Sequence, residues 1–432
     1  MEESVTLRLG RRQFVLGAAT LATATALSRP VLAQQIELRM FWWGTERRSK
    51  MQQDINTLFE QGHPDIAVIG ESAPFGDYWP RLATQVAGGN APDVINMDYR
   101  YLAEYGGRDV LLPLDEFVGN GLDIADFGIG LGGGKMGDTL YAIPTGVNSS
   151  ALMLNAAVYE EAGIEAPHPG MTWQQFGDNA QALTEKTTRD GMYGASDGSG
   201  REPVLEVWLR QRGKALYSAD GALGYAAADI VDWFAYWQDL RERRAIPPAD
   251  VVALDLDTFE TGLVNTGQAA LNYAFSSNLA GFQSLNQEPL TLVPLPVLET
   301  DPKPGQYLKP SMLFSIGAGS DKVAQSVEYL NFLLTTPEAT AIMGLERGVP
   351  VSAKVRDAIA PQLNDLDRAM LDYISSLDGT VLGELPPLPP KGAGEAEKVL
   401  LRLGQEVGFG MSTPEAAAEQ LVNEVTDLLS RA

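Results

Sequence analysis

No cysteine occurs in the 432 residues of this chain. Disulfides, thiolate catalysis and cysteine-ligated zinc are excluded together. Histidine is nearly as scarce. Only His63 and His168 are present, and their spacing fits no paired-histidine metal motif. Positive charge is in deficit, with 32 Lys and Arg against 56 Asp and Glu, a net of -24. A field of that sign repels phosphate backbones and anionic membrane surfaces, so it argues against nucleic-acid binding. It suits the solubility of an exported chain. Beyond the N-terminus no stretch is long and apolar enough to cross a bilayer. Hydrophobic residues are nevertheless 45% of the chain, ample for two or three cores at this length.

What is present begins with an address. Arg11 and Arg12 stand directly before the apolar run Phe14 to Leu27, which Gly17, Thr20, Thr23 and Thr25 dilute. The run is too short and too weakly apolar for a membrane span. Pro30 breaks it, and Val31-Leu32-Ala33 offers small residues to a signal peptidase. Residues 1–33 therefore read as a twin-arginine signal peptide, with an ordinary secretory signal as the alternative. The expected destination is the periplasm.

The following residues alternate strand and helix patterns. Gln35 to Phe41 reads as a strand, then a loop at Trp42 to Thr45, then a helix from about Ser49 to Gln61. Strands follow at Asp65 to Ile69 and Asp93 to Met97, with a helix between them ending at Gly88-Gly89. Such alternation implies parallel βαβ units and an α/β class. Thr172-Trp-Gln-Gln175 has capping-box form at the head of a helix. Ile230, Trp233, Phe234, Trp237 and Leu240 form a helical stripe, which reads as core, as do Trp79, Trp173 and Trp208. Leu290 to Val297 is extended and proline-marked, and Pro386 to Pro390 is a stiff connector.

Several motifs imitate catalytic ones. Gly194-Ala-Ser196-Asp-Gly198 matches the nucleophile elbow, but that fold needs a histidine after the serine and none follows His168. Gly128, Gly130 and Gly133 match the dinucleotide fingerprint without a strand leading in or a helix leading out. Gly134-Lys135 is followed by Met136, where a phosphate loop needs a hydroxyl. Paired carboxylates cannot be dismissed in this way, which keeps an exported glycosidase as an alternative.

Phe41-Trp-Trp-Gly44, Ala87-Gly-Gly-Asn-Ala-Pro-Asp-Val94, Thr139-Leu-Tyr-Ala-Ile-Pro144, Leu154-Asn155, Glu161-Ala-Gly-Ile164 with Thr172-Trp173, and Gly348-Val-Pro350 occur in that order. Together they resemble the extracellular solute-binding proteins of family 1, the sugar-binding proteins of ABC importers. The resemblance implies a type II periplasmic-binding-protein fold, two α/β lobes joined by crossing hinge strands. It implies crossings near Ile143 to Ser150, Val293 to Val297 and Thr335-Thr336. The N-terminal lobe would hold 34–144 and 298–334, and the C-terminal lobe 145–297 and 335–432.

Ligands of open α/β sheets bind beyond the C-terminal ends of strands. The candidates there are Trp43, Thr45 and Glu46, then Asp98, Tyr99 and Arg100, with Asn148 at the first crossing. They mix hydroxyl-binding groups with planar rings, as a sugar requires. Trp42 and Trp43 point oppositely if the strand continues, leaving one for the core. Asp98 can instead cap the following helix. The resemblance adds Glu202 as an acidic sugar ligand, with Tyr273, Ser276 and Ser277 in a contacting loop where the family often has an aromatic ring. The expected function is capture of a sugar or oligosaccharide for an ABC importer permease. The protein would act as a monomer, without cofactor, metal or catalysis. A polyamine or other small polar solute in the same fold is the second alternative.

Overall fold

The computed structural model describes residues 35–44 and 46–431. The expected signal with Arg11 and Arg12, and Thr45, lie outside the described residues.

Eleven strands occur among these residues. They are β1 Ile36–Trp43, β2 Ile66–Ala73, β3 Val94–Met97, β4 Lys135–Met136, β5 Thr139–Leu140, β6 Ile143–Asn148, β7 Ser150–Asn155, β8 Leu271–Phe275, β9 Leu290–Val293, β10 Lys309–Ile316 and β11 Val349–Pro350. Six of them form one sheet in the order β11-β6-β10-β3-β1-β2, and three form another, β8-β7-β9. β1 runs parallel to β2 and β3, as expected of βαβ units, while β10 is antiparallel to β3 and β6.

β1 runs two residues further than its alternation suggested, taking in Trp42 and Trp43. Met40 and Trp42 face one hydrophobic cluster, with Ile55, Phe59 and Tyr329. Phe41 and Trp43 face a second, with Tyr78, Trp79 and Leu82. Helices cover both faces of the sheet, so Met40 to Trp43 is a continuous buried run. Both tryptophans are therefore core.

The three-stranded sheet carries a cluster of its own, in which Trp173, Trp208, Trp233 and Trp237 pack edge to face. The helix Trp173–Lys186 opens on the expected capping box. Thr172 Oγ1 accepts from the Gln175 amide at 3.2 Å, and Gln175 Oε1 accepts from the Thr172 amide at 3.0 Å. The helices Ala393–Gly408 and Pro414–Arg431 pack on the helix Ala227–Glu242 of this part.

Three segments pass between the two sheets. The first is the step from β6 to β7 at Ser149. The second leaves β9 and enters β10, but it comes later than expected. Val297 still bridges to Thr172 beside the small sheet, and the passage centres on Gln306. Gln306 is buried and fastens the first two passages together. Its amide group donates to Ser149 Oγ and the Ser150 carbonyl at 3.2 and 2.6 Å, and accepts from the Leu295 amide at 3.0 Å. The third expected passage, at Thr335-Thr336, is a bend between the helices Val323–Thr335 and Pro337–Met343. Both pack on the helix Glu46–Gly62 beside the large sheet. β11 then pairs with β6 in that sheet. The third passage begins after Ile359: the helix Asp365–Ser376 packs on both β11 of the large sheet and β9 of the small one, and the passage continues through 377–392, which contains the Pro386 to Pro390 connector.

Ala125–Gly134, which contains the false dinucleotide fingerprint, is a run of tight turns broken at Gly128 (φ 54°). A Cβ at Gly133 would meet Pro310 Cγ at 2.0 Å, so that glycine serves packing and leaves no room for a phosphate. No helix among the described residues is long and apolar enough to cross a membrane.

Candidate functional site

A cavity of about 430 Å³ opens where the two sheets face each other. Asp98, Tyr99, Asn148, Glu202 and Ser277 line it together. They come from the end of β3, the first crossing, the head of the helix Glu202–Gln211 and the turn after β8. Arg100 also lies on its wall.

Asp98 caps a helix and also faces the cavity. Its Oδ1 caps the helix Tyr99–Gly106, accepting from the Arg100 amide at 2.9 Å, while the residue lines the cavity. Tyr99 donates its hydroxyl to the Pro386 carbonyl at 2.9 Å and so ties this wall to the third crossing. Asn148 ends β6 and is 8% exposed, and its Oδ1 has no hydrogen-bond partner among the described residues. A buried acceptor without a donor is costly. A ligand hydroxyl would satisfy it.

The opposite wall is acidic. Glu206 lies one helical turn beyond Glu202 and accepts from the Tyr307 hydroxyl at 2.8 Å. Burial, with Glu397 and Glu206 nearby, pushes the Glu202 carboxyl up to about 8, against the opposing charge of Lys309. Burial also raises Glu206, opposed by the Tyr307 hydrogen bond. Lys309 sits with its Nζ 4.5 Å from the Phe275 ring centroid, and burial and Arg100 lower its pKa. Near neutral pH, Glu202 is therefore poised between a protonated donor and an ionised acceptor. Tyr217, Phe275 and Tyr307 add ring surface. The whole presents hydroxyl-matching groups beside apolar faces.

Glu206, Tyr217, Tyr307, Lys309 and Glu397 were missed by the sequence reading. Glu206 had a signal, the four-residue spacing from Glu202 that puts both on one helix face. Tyr307 and Lys309 arrive on the second crossing and Glu397 on a helix beyond the third, so no local pattern marks them.

The other candidates lie elsewhere. Trp43 is 5% exposed and packs against Phe75, Tyr78 and Trp79 at 5.1–5.6 Å between ring centroids. It is outside the cavity lining, because β1 carries it under the helix Phe75–Ala87. Glu46 is exposed at the head of the helix Glu46–Gly62. Tyr273 lines a neighbouring cavity of about 390 Å³, with Asn272 and Arg201, and packs edge-on against Trp237 at 5.8 Å. Ser276 is buried at the first crossing, its Oγ accepting from the Ser149 amide at 3.3 Å, and borders a third cavity. Thr45 falls outside the described residues.

A cleft between two α/β halves is the architecture of a class of binding proteins, and comparison with known chains agrees. The pattern of the family described as bacterial extracellular solute-binding protein matches residues 42–340. The chain belongs to that family. A family 1 extracellular solute-binding protein from Alicyclobacillus acidocaldarius is 29% identical, with a TM-score of 0.81 over 91% of this chain and 98% of that one. A periplasmic oligogalacturonide-binding protein from Yersinia enterocolitica shares the fold, with a TM-score of 0.78, 24% identity, and coverage of 92% and 99%. The mannitol-binding protein of Pseudomonas aeruginosa is 27% identical over 177 residues, 40% of this chain and 39% of that protein. The matched stretch thus spans about two fifths of that curated relative.

Proposed function

We propose that this protein captures a sugar or oligosaccharide between its two halves and delivers it to the permease of an ABC importer. The observation that carries the reading is the single cavity to which Asp98 and Tyr99 come from one side, Glu202 and Ser277 from the other, and Asn148 from the crossing between them. Asn148 Oδ1 lacks a donor and Glu202 is able to donate or accept, so both suit a rim of hydroxyls. The rings of Tyr217, Tyr307 and Phe275 suit the apolar face of a sugar. The mannitol-binding relative and the oligogalacturonide-binding neighbour favour a polyhydroxylated ligand.

The lobes of this reading follow the crossings. One holds the six-stranded sheet with its helices through about Ile359. The other holds the small sheet with the helices of 393–431. A ligand touching both favours the closed arrangement by its differential affinity, and the permease would read that arrangement. No bond is made or broken. The protein would act as a periplasmic monomer, exported by the twin-arginine route. A cationic solute such as a polyamine is the second reading, favoured by Asp98, Glu202, Glu206 and Glu397 outnumbering Arg100 and Lys309 on the cavity wall.

A thermal-shift screen across sugars, polyols and polyamines tests the proposal, since a solute that binds only the folded form raises the melting temperature. A rise with sugars or polyols is expected, and recovery of the bound sugar unchanged after long incubation. A rise with polyamines alone would replace the sugar reading. Products that track with the purified protein would replace it with a glycosidase.

A further inference from the structure

The far end of the same cleft is built around arginine. A cavity of about 620 Å³ adjoins the carboxylate-lined one, sharing Asn148, Ser277 and Ser311 as wall. Arg47, Arg48 and Arg347 line it. Arg347 is 1% exposed, and none of its three guanidinium nitrogens has a hydrogen-bond partner among the described residues. Its guanidinium carbon lies 4.7 Å from the Phe314 ring centroid. That ring offers a favourable face but no lone pair.

Two carboxylates, Glu346 and Asp367, line the same cavity beside the three arginines. Arg47 and Arg48 share one carboxylate, Glu346, at 3.7 and 3.4 Å. Arg48 keeps 16% of its side-chain surface open, and Arg47 keeps 86%. No carboxylate lies within ion-pair reach of Arg347 among the described residues. Burial, with the charge of Arg48 beside it, lowers the Arg347 pKa to about 9. A buried cation without a matched anion is unfavourable, and it persists only where something else stabilises it or uses it.

The backbone fixes this arginine in place. The Arg347 carbonyl accepts from Ser311 Oγ and, at 3.5 Å, from Thr145 Oγ1. Gly348 follows at φ 91°, and a Cβ there would sit 2.5 Å from Ser311 Oγ. The turn is thus committed to Gly348 and holds Arg347 against β6 and β10.

We propose that the ligand carries an anionic group, a carboxylate or a phosphate, and that the arginine-lined cavity receives it, with Arg48 and Arg47 in contact and Arg347 as the charge behind them. The inference rests on the cleft being the solute site. It narrows the substrate class to acidic sugars such as uronic acids or sugar phosphates. The carboxylate end holds the hydroxyls, and the arginine end holds the charge.

The test is titration calorimetry of the whole mature protein with matched probes. These are galacturonic acid against galactose, glucose 6-phosphate against glucose, the corresponding dimers, and inorganic phosphate. The acidic member of one pair should bind at least about tenfold more tightly than its neutral partner, and the advantage should shrink as salt rises. Which pair shows it separates carboxylate from phosphate. In Arg347→Met, which keeps bulk over Phe314, the advantage should fall toward one, while the ligand-free melting temperature does not drop. If that variant does not fold, Arg47→Gln with Arg48→Gln should reduce the same ratio. Neutral sugars that bind as well as the acids would overturn the inference and leave the proposed function standing. An acid advantage that survives these substitutions would also overturn it. A protein that binds none of the probes, inorganic phosphate included, would overturn the inference and the sugar-site reading together.

Discussion

Two aromatic-rich regions of this molecule differ in what stands beside the rings. Behind β1, Phe41, Trp43, Tyr78 and Trp79 stack and tilt against one another in a closed cluster, with centroids 4.3–5.6 Å apart. Between the sheets, Tyr99, Tyr217, Phe275 and Tyr307 stand among Glu202, Glu206 and Lys309 around open space. Rings packed on rings stabilise a fold. Rings interleaved with buried titratable groups around open space are what the proposed solute site requires.

The comparison is most exposed to Trp43→Ala. Truncating a buried tryptophan costs about 3–5 kcal/mol. The ligand-free melting temperature should fall by many degrees, while the sugar affinity of the folded fraction stays within about twofold of the parent. A variant that keeps its melting temperature and loses affinity would move Trp43 into the site.

Glu202→Gln should do the reverse. At pH 9, where this carboxyl is ionised, a hydrogen bond to it contributes about 1.5–3 kcal/mol, so affinity should fall about tenfold or more, since about 1.4 kcal/mol is a factor of ten. Calorimetry reads it directly, and unchanged affinity would remove Glu202 from the site.

The same carboxyl sets a pH dependence of opposite sign to that of a salt-bridged acid. Its value rises from an ordinary 4.5 to about 8 in the folded protein, through burial first and then Glu397 and Glu206. The folded state therefore binds this proton more tightly than the unfolded one. Its contribution is most favourable below about pH 4.5 and is lost as pH climbs through 8. Melting curves of ligand-free protein should show Glu202→Gln close to the parent at pH 4.5 and more stable at pH 9. A parent more stable at pH 9 than the variant would reverse the assignment.

The smallest effect belongs to a site in neither region. Thr172→Ala removes the helix cap and should lower stability by about 1 kcal/mol with no change in affinity. Denaturant titration reads the first and calorimetry the second.

Much of this architecture was legible because it is written in local patterns. The parallel strands β1 to β3, the Thr172 capping box and the Ile230 to Leu240 stripe each follow from periodicity or cap chemistry within a dozen residues. The end of β1 was not legible in the same way. Trp42-Trp43-Gly44 looks like a loop until helices on both sheet faces make a fully buried strand end favourable. The second and third crossings came later than expected for a related reason. Gln306 identifies a passage only through partners at Ser149, Ser150 and Leu295. Half of the site shared this limit. Asp98, Tyr99 and Asn148 follow strands, where the position of a loop is itself informative. Lys309, Tyr307 and Glu397 become neighbours only after the chain has crossed between the sheets.

Small-angle scattering tests the clamp most directly. The radius of gyration of the wild type would be measured without ligand and with a saturating amount of the sugar that raises its melting temperature most. Closure over the Glu202 cavity predicts a smaller radius with the sugar, and for Glu202→Gln the same decrease only at a sugar concentration about tenfold or more higher. A wild type whose radius is the same with and without saturating sugar would contradict the clamp.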